Sequence, residues 1–522
     1  MLICLLEDRQ QLNLRSSHRP RAFTYAHSCS RGIRTFIRSS IKLQMIRAQA
    51  VTQPIKQASA TRHYEQRWVK LTGAVIFVTA LVLMLSETSY LTENRYMNIA
   101  RWSLLALLSA LNLLRPKRQL RSRKALIVDG MALVFLVFAA ASALYSIAPS
   151  LTLLRAGTVL LLYLAVFWTI WHYADAAGQE RVTDILIAAA SIVLIAGVAA
   201  SILPSVAGSE AAGAGAWLGG RFRGIMANPN AIGMMGILFL PLVVSRFMRR
   251  KRTLDLALLA LIAGSVVLSG SRNGVLAASI SVLYLLFRSR AWKAGLAIAA
   301  VTAVLYLAMT SYVSFNDVAV TPGIARLAPD ESLRTGGGRV EAWQVAIPLI
   351  QQQLVFGHGF GTEELIFRGM SFHMHVGAYV HNSYLGIAYQ LGLVGAALLF
   401  LPLFGLFIRR QFAKESSIRM YGYEAMLLGG IAASFLESWI YSVGNAFAFP
   451  FWICVMLLLR AARFPAAERD TQLAPRRNLR RPLVEARHPA AALPRGRRDP
   501  AIPRFDPPPP NPDTARVNGS RN

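Results

Sequence analysis

Acidic residues and cysteines are scarce in this sequence. Of 522 residues, 26 are Asp or Glu and three are Cys, against 56 Lys or Arg. Charged residues make up 16% of the chain, where a soluble domain carries roughly a quarter. That shortage argues against an ordinary water-soluble globule. Cys4 and Cys29 fall in a polar N-terminal stretch and Cys454 in an apolar run. Such placement excludes a disulfide framework and a cysteine metal site. What is abundant is apolar: 54% of residues are hydrophobic and the mean hydropathy is +0.41. The net charge of +30 is concentrated at the two ends and in short blocks between apolar runs. This is the pattern of a polytopic membrane protein and not of a nucleic-acid binder.

The ends differ from the middle. Residues 1–65 are polar and basic, and Met1–Leu6 is too short for a signal-peptide core because Glu7 and Asp8 interrupt it. Met45 is a second candidate start, with 1–44 upstream of it. Residues 462–522 are rich in Arg and Pro and close on Pro507–Pro510. Such a composition buries too little apolar area to offset chain entropy, so a disordered basic tail is expected, placed to touch anionic headgroups.

Between them the sequence reads as all-α. A bilayer core takes about 20 apolar residues per helix. Runs of that kind lie near 69–88, 97–114, 125–145, 150–171, 183–203, 229–247, 254–270, 274–287, 292–314, 382–408, 422–440 and 446–461. They predict a bundle of about twelve transmembrane helices, nine within 66–314 and three within 382–461, separated by a long loop over 315–381. The runs are continuous and do not alternate, which excludes a barrel. The basic blocks Arg115–Lys124, Arg246–Arg252, Arg288–Lys293 and Arg409–Arg419 all fall on one side of this layout, together with both termini. By the positive-inside rule that side is cytoplasmic.

The opposite side is where arginine is least expected, yet specific ones sit there. Arg221 and Arg223 precede Asn228-Pro229-Asn230, which reads as an N-cap and first turn of the sixth span. Arg272 lies in the tight turn Ser269–Gly274 and Arg339 follows three glycines. Guanidiniums beside helix N-termini form an anion site suited to phosphate; alone, each could equally reach a lipid headgroup. Arg155 and Glu437 lie about one turn inside the outer ends of spans four and eleven, where they could pair with each other. Four of the nine histidines, His358, His373, His375 and His381, fall within 358–381. His381-Asn382 opens the tenth span, with Asn382 as its cap. Histidine can take a proton from a hydroxyl near neutral pH. A departing diphosphate needs charge stabilisation more than it needs a proton. One base and an arginine cradle therefore suffice to move a sugar from a lipid diphosphate to an acceptor hydroxyl.

Arg223-Gly224, Asn228-Pro229-Asn230, Ser269–Gly274, Gly338-Arg339 with Trp343, Gly357–Gly361, and His381-Asn382 followed after nine residues by Gly392-Leu393-Val394-Gly395 occur in that order. In this the chain resembles the O-antigen ligase / polysaccharide polymerase superfamily. The resemblance implies a bacterial inner-membrane glycosyltransferase with both termini cytoplasmic and a periplasmic site. It would act without metal or other cofactor, taking glycan from undecaprenyl diphosphate and passing it to lipid A–core, or, in related members, polymerising O-antigen or exopolysaccharide repeat units. Carried over by position, His381 matches the base, Arg223 the outer-facing arginine, and Arg272 and Arg339 less defined basic positions; Arg221 joins them as a diphosphate ligand from its place beside Arg223 and the helix N-terminus, not from the resemblance. Supporting roles fall to Arg155, Asn228, Asn382, His358, His373, His375 and Glu437. The implied partners are the lipid-linked donor, the glycan or lipid A–core acceptor and membrane lipid, with no nucleic acid.

Three rivals stand beside this reading. Alternating His373 and His375 with His381 could hold a metal, although no acid lies among them. A flippase would gather its polar groups at the midplane, whereas these lie at one face. A non-catalytic assembly role has no positive sign.

Overall fold

The computed structural model describes residues 63–88, 91, 94–115, 123–202, 215–297, 339–374, 379–413, 417–442 and 444–461. The leader and tail, most of the ninth expected span and the first part of the long loop lie outside the described residues. The chain is a helical polytopic membrane protein. Its helices, in order, are α1 (His63–Leu85), α2 (Arg95–Ala110), α3 (Arg123–Ala141), α4 (Pro149–Ala177), α5 (Gln179–Ile202), α6 (Pro229–Arg250), α7 (Thr253–Leu268), α8 (Arg272–Arg288), α9 (Arg339–Gln352), α10 (Glu363–Met374), α11 (Ser383–Gln411), α12 (Ile418–Ala433) and α13 (Ala448–Ala461). Among the described residues six are long and apolar enough to cross a bilayer: α1, the stretch Ala125–Leu144 that contains most of α3, α4, α5, α6 and α11. The runs expected at 97–114, 254–270, 274–287, 422–440 and 446–461 form shorter helices. The eleventh is cut short most clearly, since α12 stops at Ala433 and 434–442 is irregular.

Packing is tightest where α6, α8 and α12 meet, with α7 against α6. α11 is bent at Gly392, whose φ is +64°. The bend opens α11 to the segment before α10, so that His358 and Gly359 donate N–H to the Tyr389 and Gln390 carbonyls, 3.0 and 2.8 Å, and Leu393 donates to the Leu354 carbonyl, 2.9 Å. A Cβ at Gly392 would overlap the Val355 carbonyl. The Gly-His-Gly-Phe-Gly run and the Gly392 motif are thus two halves of one joint.

One end of the bundle is laced by basic blocks. Arg246 bonds Asp255 (2.7 Å) and Asp184 (3.1 Å), Arg250 bonds Glu180 (2.9 Å) and Asp184, and Arg419 reaches Glu180 (3.3 Å). Arg288 donates to the Arg410 carbonyl, 3.1 Å, and Arg410 bonds the buried Glu424 at 2.8 Å. Three of the four basic blocks are thereby linked at a common end. The fourth, Arg115–Lys124, lies largely outside the described residues. From that end α7, α8, α12 and α13, of 16, 17, 16 and 14 residues, rise only about 21–26 Å at 1.5 Å per residue. A hydrocarbon core is about 30 Å thick. Each is therefore shorter than a full crossing. Irregular backbone, 434–442 and 444–447, joins α12 to α13.

Candidate functional site

The candidate site gathers five segments: the hairpin with the start of α6, the starts of α8, α9 and α11, and the stretch after α12. β1 (Trp217–Leu218) and β2 (Arg221–Phe222) pair antiparallel through Gly219-Gly220, with Leu218 opposite Arg221. Arg221 sends Nε to the Ser269 carbonyl, 2.8 Å, and an Nη to Asn230 Oδ1, 2.9 Å. Asn228 caps α6 by accepting from the Asn230 N–H, 2.9 Å, which leaves the Asn230 side chain for the site. Ser271 caps α8, placing Arg272 as its first residue, and Asn273 Nδ2 reaches the Ala433 carbonyl at the end of α12, 3.4 Å. Asn382 caps α11 through the Tyr384 and Leu385 N–H groups. The start of α11 is bound to the irregular segment, since Ser383 N–H donates to the Ser434 carbonyl, 2.7 Å, and Ser383 Oγ to the Glu437 carbonyl, 2.7 Å.

These contacts converge on Glu437. One carboxylate oxygen accepts from Arg339, 2.9 Å, and from Asn230 Nδ2, 3.4 Å. The other faces His381 Nδ1 at 3.5 Å. Arg339 Nε is fixed on the Leu436 carbonyl, 2.9 Å. The chain of contacts runs His381–Glu437–Arg339, and from Glu437 through Asn230 to Arg221. The imidazole is about one-third exposed, and its backbone φ is +52°, a left-handed conformation uncommon outside Gly but several-fold enriched for His. With Nδ1 turned to a carboxylate, Nε2 is the ring nitrogen left to meet a hydroxyl.

Several residues singled out from the sequence stand elsewhere. Arg223 is buried, at 4% exposure, and donates to the Gly215 and Ala227 carbonyls, 2.8 and 3.3 Å; it ties the hairpin to the start of α6. Arg155 does not pair with Glu437. It bonds Glu364 at 2.8 Å, and Glu364 also takes Arg368. Glu437 is not inside a helix, because α12 ends four residues before it. His358 stacks on Tyr389 with centroids 4.7 Å apart and holds Nε2 2.8 Å from the Leu349 carbonyl, a packing role apart from the Glu437 cluster. The side chain of His373, and His375 entirely, lie outside the described residues. Among the described residues no group of three His, Cys, Asp or Glu is placed to hold a metal.

Sequence reasoning passed over Glu363. Its carboxyl is buried and accepts from Val380 N–H (3.0 Å), Ser438 Oγ (3.1 Å), Gln390 Nε2 (2.9 Å) and Tyr441 Oη. Burial raises its pKa above the ordinary carboxylate value, and burial with the nearby Glu363 charge holds the Tyr441 phenol well above its own. Tyr379 is pushed up to about 12, first by burial and then by Glu364. These groups line a polar cavity of about 40 Å³ with Arg155 and Gln390, room for a few waters. The signal was available: Glu363-Glu364 is a paired acid in a chain with few acids, directly after the glycine-rich run. Tyr441 also borders an apolar cleft of about 400 Å³ between α3, α4, α11 and α13, walled by Phe135, Phe167, Leu403 and Trp452.

The fold and these contacts describe a multi-pass membrane protein with a charged cluster at the end opposite its linked basic blocks. Residues 257–400 match the family model for the O-antigen ligase. The match spans Arg272, Arg339, Glu363 and His381, and supports the O-antigen ligase superfamily for that segment. No curated protein matches the chain.

Proposed function

We propose that the protein is a glycosyltransferase of the bacterial inner membrane that transfers a glycan from undecaprenyl diphosphate to an acceptor hydroxyl at the periplasmic face. The observation that carries the reading is the convergence of His381, Glu437, Arg339, Asn230 and Arg221 in one bonded cluster. His381 Nε2 takes the proton of the acceptor hydroxyl while that oxygen bonds to the anomeric carbon. The bond from that carbon to the diphosphate breaks, and undecaprenyl diphosphate leaves with the electron pair. Glu437 holds the imidazole in the tautomer with Nε2 free and stabilises the imidazolium that forms, as a carboxylate does behind other catalytic histidines. Arg221, Arg339 and Arg272, the last at the N-terminus of α8, receive the charge that grows on the diphosphate. Arg223 braces the loop that presents Arg221. No step needs a metal, because charge stabilisation is supplied by guanidiniums. The apolar cleft that ends at Tyr441 suits a long lipid chain. The basic blocks, bound together at the far end, face the cytoplasm by the positive-inside rule, and both termini lie on that side.

Lipid A–core is the favoured acceptor, on the family match over 257–400; polymerisation of O-antigen or exopolysaccharide repeat units would use the same donor chemistry. A deletion strain tests both. Loss of long-chain lipopolysaccharide with accumulation of lipid-linked glycan supports ligation. Loss of secreted polymer with lipopolysaccharide intact supports polymerisation. If lipid-linked glycan instead builds up only on the cytoplasmic leaflet, the protein is a flippase and the transferase reading fails.

A further inference from the structure

His381 has a left-handed backbone, φ +52°, uncommon outside glycine even though His adopts it more readily than most, and the peptide units on either side of it are held by identifiable groups. Before it, Val380 donates its N–H to Glu363 at 3.0 Å and its carbonyl accepts from Trp343 Nε1, 3.0 Å. After it, Asn382 donates its N–H to Ser438 Oγ, 3.1 Å, and that hydroxyl donates in turn to the same Glu363 oxygen, 3.1 Å. One carboxylate oxygen therefore fixes both flanks of His381, one directly and one through a serine. The second Glu363 oxygen is anchored by Gln390 Nε2 (2.9 Å) and Tyr441. Gln390 spends its own carbonyl on the Gly361 N–H, 2.6 Å, which ties the start of α10 to the bend of α11. A left-handed non-glycine residue persists where its surroundings over-determine it. Glu363, 3% exposed, is the group common to those surroundings.

We infer that Glu363 is a positioning residue for transfer: it holds the 379–382 turn so that His381 presents its imidazole between Glu437 and the acceptor. The inference rests on the reading of His381 as the base. Its chemistry distinguishes Glu363 from Glu437. Glu437 acts on the imidazole itself, whereas Glu363 bonds the backbone on both sides and never needs to approach substrate.

Two variants separate this role from a general loss of fold. Glu363→Gln keeps one carbonyl oxygen able to accept from Val380 N–H and Ser438 Oγ, while Glu363→Ala keeps neither. The full-length protein in lipid vesicles is given a lipid-diphosphate glycan donor and an acceptor, and backbone amide exchange is followed in parallel. The expected result is that Glu363→Ala lowers turnover about 100-fold, the scale of a 1 Å misplacement, with the donor KM unchanged. Peptides covering 379–382 lose exchange protection while those of α6 and α8 keep theirs, and Glu363→Gln stays within about tenfold of wild type. Wild-type turnover in Glu363→Ala, or unchanged protection of 379–382, overturns the proposal. So does loss of protection throughout the bundle in Glu363→Ala together with a Glu363→Gln protein that folds but is as inactive as Glu363→Ala. If His381→Ala proves fully active, the base assignment falls, and the exchange measurement still decides whether Glu363 holds the turn.

Discussion

Replacing Glu437 with Gln removes one negative charge and almost no volume, which makes it the sharpest probe of the cluster around it. In the wild type one Glu437 oxygen lies 3.5 Å from His381 Nδ1 and the other 2.9 Å from Arg339. Hydrogen bonds to charged groups are worth about 1.5–3 kcal/mol when short and buried. A contact at 3.5 Å to an imidazole one-third exposed belongs at the bottom of that range. About 1.4 kcal/mol of lost transition-state stabilisation is tenfold in rate. The amide can keep its carbonyl on Arg339 only by turning its NH₂ toward Nδ1, which favours the tautomer protonated at Nε2 and removes the base. Turnover of Glu437→Gln should therefore fall at least about tenfold. The donor KM should hold, because Arg339 keeps its bond to the Leu436 carbonyl at 2.9 Å. Single-turnover transfer in vesicles, with donor binding measured separately, reads both quantities. A variant with wild-type turnover, or one in which only the donor KM rises, would refute the assignment of Glu437 to the imidazole.

Further outcomes follow from the same geometry. Arg221→Ala should weaken donor binding about tenfold or more in a filter-binding assay, for loss of a charge-assisted contact of about 1.5 kcal/mol. Arg223→Ala should instead lower the amount of folded protein in the membrane, since it removes a buried strut to the Gly215 and Ala227 carbonyls. Gly392→Ala puts a Cβ on a residue at φ +64° and into the Val355 carbonyl; a loss of about 3 kcal/mol or more is expected, read as a lower unfolding temperature in detergent. Glu363 carries a folded-state pKa raised above 4.5 by burial, so the fold holds its proton more tightly than the unfolded chain. Its contribution is full below about pH 4.5 and is lost as pH rises through the folded value. Thermal unfolding of wild type should therefore weaken relative to Glu363→Gln over that rise, and parallel pH curves would contradict this.

The bundle was legible because continuous apolar runs and basic blocks are dictated by the bilayer, a solvent whose demands are simple. Caps were legible too, since Asn228 and Asn382 stand directly before helices and need only local geometry. What the sequence could not supply was partnership across the fold. Arg155 and Glu437 were matched by depth, yet Arg155 belongs to Glu364 and Glu437 to Arg339 and His381. Depth orders residues along one axis and says nothing about which helices are neighbours. The apolar run 422–440 looked like one helix because periodicity cannot reveal where backbone unwinds, and it does so after Ala433. Arg221 and Arg223 are two residues apart and alike in type, but on the short strand ending at Phe222 and its continuation they meet different partners. Glu363 was missed for another reason: a buried acid that bonds backbone N–H groups leaves no periodic trace.

The central claim is that His381 removes the acceptor proton at a metal-free site. Purified protein in vesicles washed with EDTA, wild type beside His381→Ala, tests it directly when transfer from a lipid-diphosphate glycan is timed in a single turnover. The account predicts that EDTA leaves the wild type active and that His381→Ala still binds donor but transfers at least about 100-fold more slowly. Transfer by His381→Ala at the wild-type rate, or a wild type silenced by EDTA and restored by a divalent cation, would contradict it.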